Sequence, residues 1–482
     1  MLAIIKKMIN NKQLLLSVTF FTNSYYIVAQ HNTSPNIIII LADDLGYGDV
    51  GFNGNNFVNT PNIDAMASSG IIFNRFYSSC SVSSPTRAGL LTGMHHTRLG
   101  INTANDGFLQ QYTTTIAEVA KQKGYTTAHF GKWHLGTLSQ TQIDGNRGGR
   151  PEFLKDFSPP WLHGFDFCFA TESMVPTFNP MSKPKGANKV SLFWEISSRE
   201  ESEAFGTAYW NEKGQQMTDS LEGDDSEIIM NRVLPFVQKS AKENKPFLVN
   251  LWFHAPHLPF VADSSYCKQY QQLSRINQHY FGSISAMDSQ IGRLQKELEK
   301  LNIDGNTIVI FCSDNGPQGK TKEHEQSPGL TSGLRGRKGS LFEGGIRVPA
   351  FVKWTNQIAP HQSTNYIAST ADILPTLMNI WNLDTKNFVL DGKSIFEVSF
   401  SPTIKRNDEI FFQFSNKKAL IAQKYKIVAE NENWQMFDIE TDVIEKNNIA
   451  SENVEEFEKM KAKFYQKSKD FQTYFENNKN KK

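Results

Sequence analysis

Two acidic pairs, each directly behind an apolar run, could do chemistry. Asp43 and Asp44 follow Asn36 to Leu41 (NIIIIL) through Ala42, and Asp314 and Asn315 follow Thr307 to Phe311 through Cys312 and Ser313. An unbroken β-branched run is the pattern of a strand buried on both faces. If both strands lie in one sheet, their ends bring four oxygen-bearing side chains together. Hard oxygen donors favour Ca²⁺ or Mg²⁺ over zinc, which prefers His and Cys. Taken singly, each pair more often makes a turn or a helix cap.

The third element is Ser83-Ser84-Pro85-Thr86-Arg87, ahead of a short helix ending at Gly93. A hydroxyl at a helix start sits in a field favouring negative charge, and Arg87 adds a fixed cation one turn on. That arrangement suits a nucleophile attacking an anionic ester, and an ordinary Ser-Pro cap is the alternative.

The elements that must position these residues alternate. Thr60-Pro61 opens a helix that Gly70 closes, and Ile71 to Tyr77 reads as a strand. Thr115 and Glu118 match a capping box for a helix stopped by Gly124, followed by a strand at Tyr125 to Phe130. Phe247 to Phe253 is another strand, and Asp288 to Leu301 an amphipathic helix. The expected fold is α/β, a large mainly parallel sheet flanked by helices, with ligands outside the carboxyl ends of the strands.

Residues 137–220, rich in Gly, Pro and aromatics, break this rhythm and are expected to shape a substrate site within a catalytic domain of residues 30–384. Beyond 385, short strand-like runs (Ala419 to Ala422, Tyr425 to Ala429) and a helical tail (Glu455 to Phe475) indicate a smaller α+β subdomain with an antiparallel sheet. Only the Lys/Asn-rich last few residues read as disordered.

Lys6, Lys7 and Lys12 precede an apolar stretch from Leu14 to Val28, a secretory signal expected to be cut between Ala29 and Gln30. The protein is therefore expected to be exported, periplasmic or secreted, with no stable membrane insertion after cleavage. Lys+Arg 50 against Asp+Glu 49 gives +1 for the 482 residues, so charge offers no argument for a nucleic-acid partner. Four Cys (80, 168, 267, 312), with no C-x-x-C pair, are too few for a disulfide scaffold and read as buried thiols.

Ser83 to Arg87 with Leu91-Thr92-Gly93 resembles the signature of formylglycine-dependent sulfatases of the alkaline phosphatase-like superfamily. So do, in the family's order, Asn36 to Gly48 (NIIIILADDLGYG), Thr60 to Gly70 (TPNIDAMASSG), Gly131 to Gly136 (GKWHLG), Ala255 to Pro259 (APHLP), Ser313 to Gly316 (SDNG), Arg335 to Pro349 (RGRKGSLFEGGIRVP) and Trp434 to Ala450 (WQMFDIETDVIEKNNIA). The resemblance implies a sulfuric ester hydrolase, with Ca²⁺ held by Asp43, Asp44, Asp314, Asn315 and the residue-83 oxygen. Ser83 falls on the nucleophile position, where many members carry Cys. It fits the serine-type subset, oxidised to formylglycine by a radical iron-sulfur maturating enzyme of bacterial type. One hydroxyl of the hydrated aldehyde would attack sulfur, and the other would expel sulfate as the aldehyde re-forms. Cys80 lies three residues too early and is assigned a structural role.

By charge, Lys132 and Lys338 would neutralise the sulfate oxygens with the metal, and Arg87 would steady the nucleophile. His134 would orient or deprotonate a formylglycine hydroxyl. His257 would protonate the departing sugar oxygen, with His254 a less certain candidate. The partner implied is a sulfated oligo- or polysaccharide, marine algal ulvan or carrageenan ahead of animal glycosaminoglycan. Trp161, Phe165, Phe167, Phe178, Trp194 and Trp210 could stack on sugars or form the core of the 137–220 segment. A phosphonate or phosphodiester hydrolase of the same superfamily, and a sulfoglycan-binding protein with unmodified Ser83, are the rival readings.

Overall fold

Every residue from Ile37 to Ala42 is fully buried, and alternate side chains of this one strand enter two different cores. Ile37, Ile39 and Leu41 pack with the helices Ser83–Thr92, Ile116–Gln122 and Ile373–Ile380. Ile38, Ile40 and Ala42 face Pro61–Ser68, Asp225–Lys242 and Arg275–Lys300. A strand with period-two side chains and helices on both faces must be apolar throughout, which is what the unbroken run encodes.

The computed structural model describes residues 34–320 and 327–480. The expected signal segment and residues 481–482 lie outside them. No helix among the described residues is long and apolar enough to cross a membrane.

The main sheet has eleven strands. Its centre is five parallel neighbours in the order Thr307–Ser313, Asn36–Ala42, Phe247–Trp252, Thr126–Lys132 and Phe167–Thr171. Antiparallel strands extend both sides: Phe351–Lys353 pairs with Thr307–Ser313, and Tyr209–Asn211 with Phe167–Thr171. Ile71–Tyr77 joins Phe351–Lys353 antiparallel and Gln362–Ser369 parallel. The mainly parallel α/β sheet is therefore as expected, and its antiparallel flanks were not foreseen.

The expected helix from Asp288 is in fact the second half of Arg275–Lys300. Its first half carries buried Gly282, Ser283 and Ser285, small residues that let it approach Ala262 and its neighbours but dilute the apolar stripe. The capping box at Thr115 and Glu118 is present in both directions. Residues 410–438 form a four-stranded antiparallel sheet covered by the helix Val454–Asn478, which extends past Phe475. Within 137–220, Phe165 and Trp210 are core, whereas Phe167 is 36% exposed and packs edge-on to Phe236. All four cysteines are free and buried, and burial pushes the Cys80 thiol up to about 12, consistent with a structural role.

Candidate active site

Register explains why the two acidic pairs meet. Ala42 stands opposite Ser313, so the residues that follow, Asp43 and Asp314, leave adjacent strands side by side. Lys132 ends the next strand but one, and the stretch after Trp252 carries His254 and His257 to the same sheet end. Asp43 N–H donates to the Ala255 carbonyl and Asp314 N–H to that of Ala42, carrying the ladder one residue beyond the sheet. The chain then turns sharply, and Asp44 takes a left-handed backbone with φ +63°. Its amide donates to Asp314 Oδ1 at 3.2 Å. Conformations of this kind persist only where surrounding bonds over-determine them.

Ser83 is the first residue of its helix, and the N-cap is Val82, with no side-chain cap bond. The Ser83 hydroxyl therefore does not cap. It lies 3.4 Å from both Asp43 Oδ1 and Asn315 Oδ1 and is 1% exposed. Gly93 closes the helix at φ +66°, the left-handed stop that glycine accepts without a Cβ clash.

Three carboxylates and three cations interlock around it. Lys132 Nζ is 2.6 Å from Asp43 Oδ2, and Lys338 Nζ is 2.7 Å from Asp44 Oδ2. Arg87 grips Asp314 Oδ2 through Nε (3.1 Å) and NH2 (2.8 Å), with NH1 on the Lys132 carbonyl at 2.8 Å. Asn315 Nδ2 donates to Asp44 Oδ1 at 2.6 Å, which turns its Oδ1 toward Ser83. Burial opposes ionisation of Asp43, yet Lys132, His257, Arg87 and Lys338 outweigh it and hold the carboxyl well below its usual range. Burial and the charge on Asp43 push Asp314 up despite Arg87. Burial would lower Lys338, but Asp44 and Asp43 raise it, so it stays charged.

The histidines divide. His257 donates from Nδ1 to the Leu258 carbonyl at 2.6 Å, leaving Nε2 toward Asp44 at 3.7 Å. Burial brings its imidazole down to about 4. His134, at φ +61°, pairs Nε2 with Asn105 Oδ1 at 3.3 Å, while its buried Nδ1 has no partner among the described residues. Burial, then Lys132 and Arg87, hold it well below its usual value. His254 is spent elsewhere: Nδ1 pairs with Asp225 at 2.8 Å and Nε2 with Thr171 at 2.7 Å. It belongs to a buried structural chain.

Sequence reasoning missed Asn105, which also accepts from Asn146 Nδ2 at 3.1 Å and so carries the 137–220 segment to the mouth of the site. It missed Asp49 too, which accepts from Gly46 and Leu330 amides and from Tyr280 and so braces the turn after Asp44. Asp49 lies one residue past the Asn36 to Gly48 block, and isolated it looks like any turn residue.

Asp43, Asp44 and His257 offer ligand atoms within 4.8 Å of one another. With Asp314 Oδ1, Asn315 Oδ1 and the residue-83 oxygen, the donors are chiefly hard oxygens, and the set fits Ca²⁺ or Mg²⁺. Without a metal, three acids and three bases balance. A divalent cation makes the site net positive and receptive to an anion. Chelation with EDTA should therefore lower the unfolding midpoint. Calcium at a hundredfold over its Kd should restore about 2.7 kcal/mol. A midpoint indifferent to both would rule out a metal here.

The sulfatase family matches residues 35–383, and the C-terminal family of N-sulphoglucosamine sulphohydrolase matches 337–473. Arylsulfatase A of Homo sapiens is 30% identical over 386 residues, 78% of this chain and 70% of that protein. N-acetylgalactosamine-6-sulfatase of Mus musculus is 28% identical over 432 residues, 86% and 76% of the two chains. The crystal structure of Ps i-CgsB, also solved in complex with k-i-k-neocarrahexaose, superposes with a TM-score of 0.75 at 25% identity, over 90% of this chain and 93% of that one. The chain belongs to the sulfatase family and is a sulfuric ester hydrolase.

Proposed function

We propose that this sulfatase is exported and removes sulfate from a sulfated glycan, a carrageenan- or ulvan-type polysaccharide, using formylglycine made from Ser83. The observation that carries the reading is the Ser83 hydroxyl, turned from its own helix into the pocket formed by Asp43, Asn315 and the three cations. The complex of Ps i-CgsB with k-i-k-neocarrahexaose supports a carrageenan-type glycan. Asn315 in place of a further His favours sulfate over the two-zinc phosphatase chemistry of the superfamily.

In this reading Asp43, Asp44, Asp314, Asn315 and residue 83 hold Ca²⁺, which when bound would neutralise charge on a sulfate oxygen. Formylglycine, formed by a serine-type maturating enzyme, supplies a paired hydroxyl that an unmodified serine lacks. Lys132 and Lys338 hold the remaining sulfate oxygens, and both stay anchored on carboxylates, so little reorganisation is needed as charge develops. Arg87 fixes Asp314 and the end of the Lys132 strand. His134 receives or orients the proton of the attacking hydroxyl at its unpartnered Nδ1.

His257 protonates the leaving oxygen. It is neutral in the free protein, and the negative charge of the ester is what raises its proton affinity. His257→Ala should lower kcat about 10²- to 10³-fold on a sugar sulfate, but under about tenfold on 4-nitrophenyl sulfate, whose leaving group needs no proton. Equal losses on both substrates would remove His257 from this role.

The first test is the mass of the peptide carrying Ser83 in protein from a host with the maturating enzyme, where oxidation removes two hydrogens, about 2 Da. Parallel assays on sulfate and phosphate monoesters complete it. An untouched Ser83 would overturn the mechanism and favour the binding-protein reading, and a phosphate preference would favour the phosphohydrolase. Export predicts a mature N-terminus at Gln30 in the extracytoplasmic fraction.

A further inference from the structure

Residues 254–259 read His-Ala-Pro-His-Leu-Pro, so only the two histidines of this turn can form side-chain hydrogen bonds. His257 is the one at the site, and its ring is held only from within the turn. Nδ1 donates to the adjoining Leu258 carbonyl at 2.6 Å, and Nε2 stands 3.7 Å from Asp44, beyond hydrogen-bond reach. Among the described residues the imidazole has no other hydrogen-bond partner. Lys132, by contrast, is gripped at its ammonium by Asp43 and at its carbonyl by Arg87. The aim of His257 is inherited from the turn that carries it.

Besides the backbone bond from Asp43 N–H to the Ala255 carbonyl, that turn is tied down by the fully buried ring of His254. Thr171 commits its hydroxyl hydrogen to the Ser173 carbonyl at 2.8 Å, so at 2.7 Å it accepts from His254 Nε2–H. Nδ1 pairs with Asp225 Oδ2 at 2.8 Å, and Asp225 Oδ1 accepts from the Tyr209 hydroxyl at 2.5 Å. Both nitrogens are occupied, and neither is left for a substrate. Their partners sit on regular elements. Thr171 ends a strand in register with Lys132, Asp225 opens the helix Asp225–Lys242, and Tyr209 stacks on Phe169 at 3.8 Å. The His254 carbonyl then accepts from His257 N–H at 2.7 Å. An unbroken run of buried hydrogen bonds leads from Tyr209 and Asp225 to the backbone of His257, and such a network fixes its members while every one is satisfied.

We propose that His254, held by Asp225 and Thr171, is the positioning residue of the general acid: it fixes the turn so that His257 Nε2 reaches the leaving oxygen, and it touches no substrate itself. This deepens the reading of His257 as the general acid and rests on it. A misplacement of about 1 Å at a reacting group can cost about 10²-fold.

The test uses the full-length formylglycine-bearing protein with two aryl sulfates. The leaving oxygen of 4-nitrophenyl sulfate needs no proton, whereas that of phenyl sulfate is more basic and gains from one. His254→Gln should lower kcat about tenfold or more on phenyl sulfate but under about threefold on 4-nitrophenyl sulfate, with KM within about threefold on both. Thr171→Val keeps the side-chain shape, removes only the acceptor for Nε2, and should show the same split in smaller measure; it carries the test if urea unfolding finds His254→Gln unfolded. In the His257→Ala background, His254→Gln should cost under about threefold more on phenyl sulfate, because its effect runs through a ring no longer there. Equal losses on the two sulfates, or a full additional loss in that background, would overturn the positioning role. His257→Ala alone is the control: a split there with none in the His254 and Thr171 variants sinks this inference only, and no split there removes the general acid itself.

Discussion

Ser83→Ala should abolish turnover, by about 10⁴-fold or more, while leaving the fold in place. The two halves of this expectation come from different observations. Turnover is lost because the variant has no oxygen to oxidise and no nucleophile in the pocket between Asp43 and Asn315. Stability is kept because the hydroxyl makes only two long contacts, both 3.4 Å, and caps no helix. Its removal leaves both neighbours anchored through their other side-chain atoms: Asp43 Oδ2 keeps Lys132 at 2.6 Å, and Asn315 Nδ2 keeps Asp44 at 2.6 Å. The change in unfolding free energy should stay within about 1 kcal/mol. Hydrolysis of 4-nitrophenyl sulfate and urea unfolding of the matured proteins check both halves. Retained turnover would sink the mechanism, and a collapsed fold would show that the hydroxyl is structural.

The parts of the site legible in the sequence are those whose local pattern and chemistry coincide. Asn36–Ala42 and Thr307–Ser313 announce themselves as buried strands, and acids directly after such strands have only the carboxyl edge of the sheet to occupy. Their adjacency, by contrast, rests on strand order, which no local pattern carries. The same holds for Lys132, which lay just past the expected strand end but is its last residue, so the sheet itself aims its ammonium at Asp43.

What stayed hidden is long-range. The roles of Asn105 and Asp49 depend on partners far along the chain, His134 and Tyr280. Lys417 donates to the Gly339 carbonyl at 2.6 Å, and Lys426 joins Glu343 to Glu445, so the C-terminal sheet anchors the segment bearing Lys338. A lone lysine in a strand gives no hint of this. The aromatics of 137–220 were ambiguous for a physical reason: stacking and core packing select the same side chains, and only burial separates Trp210 from Phe167.

Arg87→Met should destabilise the metal-free protein by about 3–5 kcal/mol and remove activity with it. The arginine is fully buried, and its guanidinium pairs twice with Asp314, once with the Lys132 carbonyl, and lies 5.1 Å over the Trp252 ring. Methionine fills much of the same volume and keeps the ring contact, so the loss is chiefly electrostatic: Asp314 is left buried beside Asp43 with its main counter-charge gone. Two dependences separate this from simple mispacking. Burial and Asp43 already hold the Asp314 carboxyl above the usual range, and losing Arg87 raises it further. A raised folded-state carboxyl value means stability present at low pH and lost as pH rises through that value, so the deficit should be deeper at pH 8 than at pH 5. Calcium supplies positive charge at the same carboxylates, so saturating Ca²⁺ should recover part of the loss in the variant. Urea unfolding at both pH values, with EDTA or Ca²⁺, reads all of this. A deficit indifferent to pH and calcium would mean that Arg87 acts by packing alone, and that Asp314 is not the charge it holds in place.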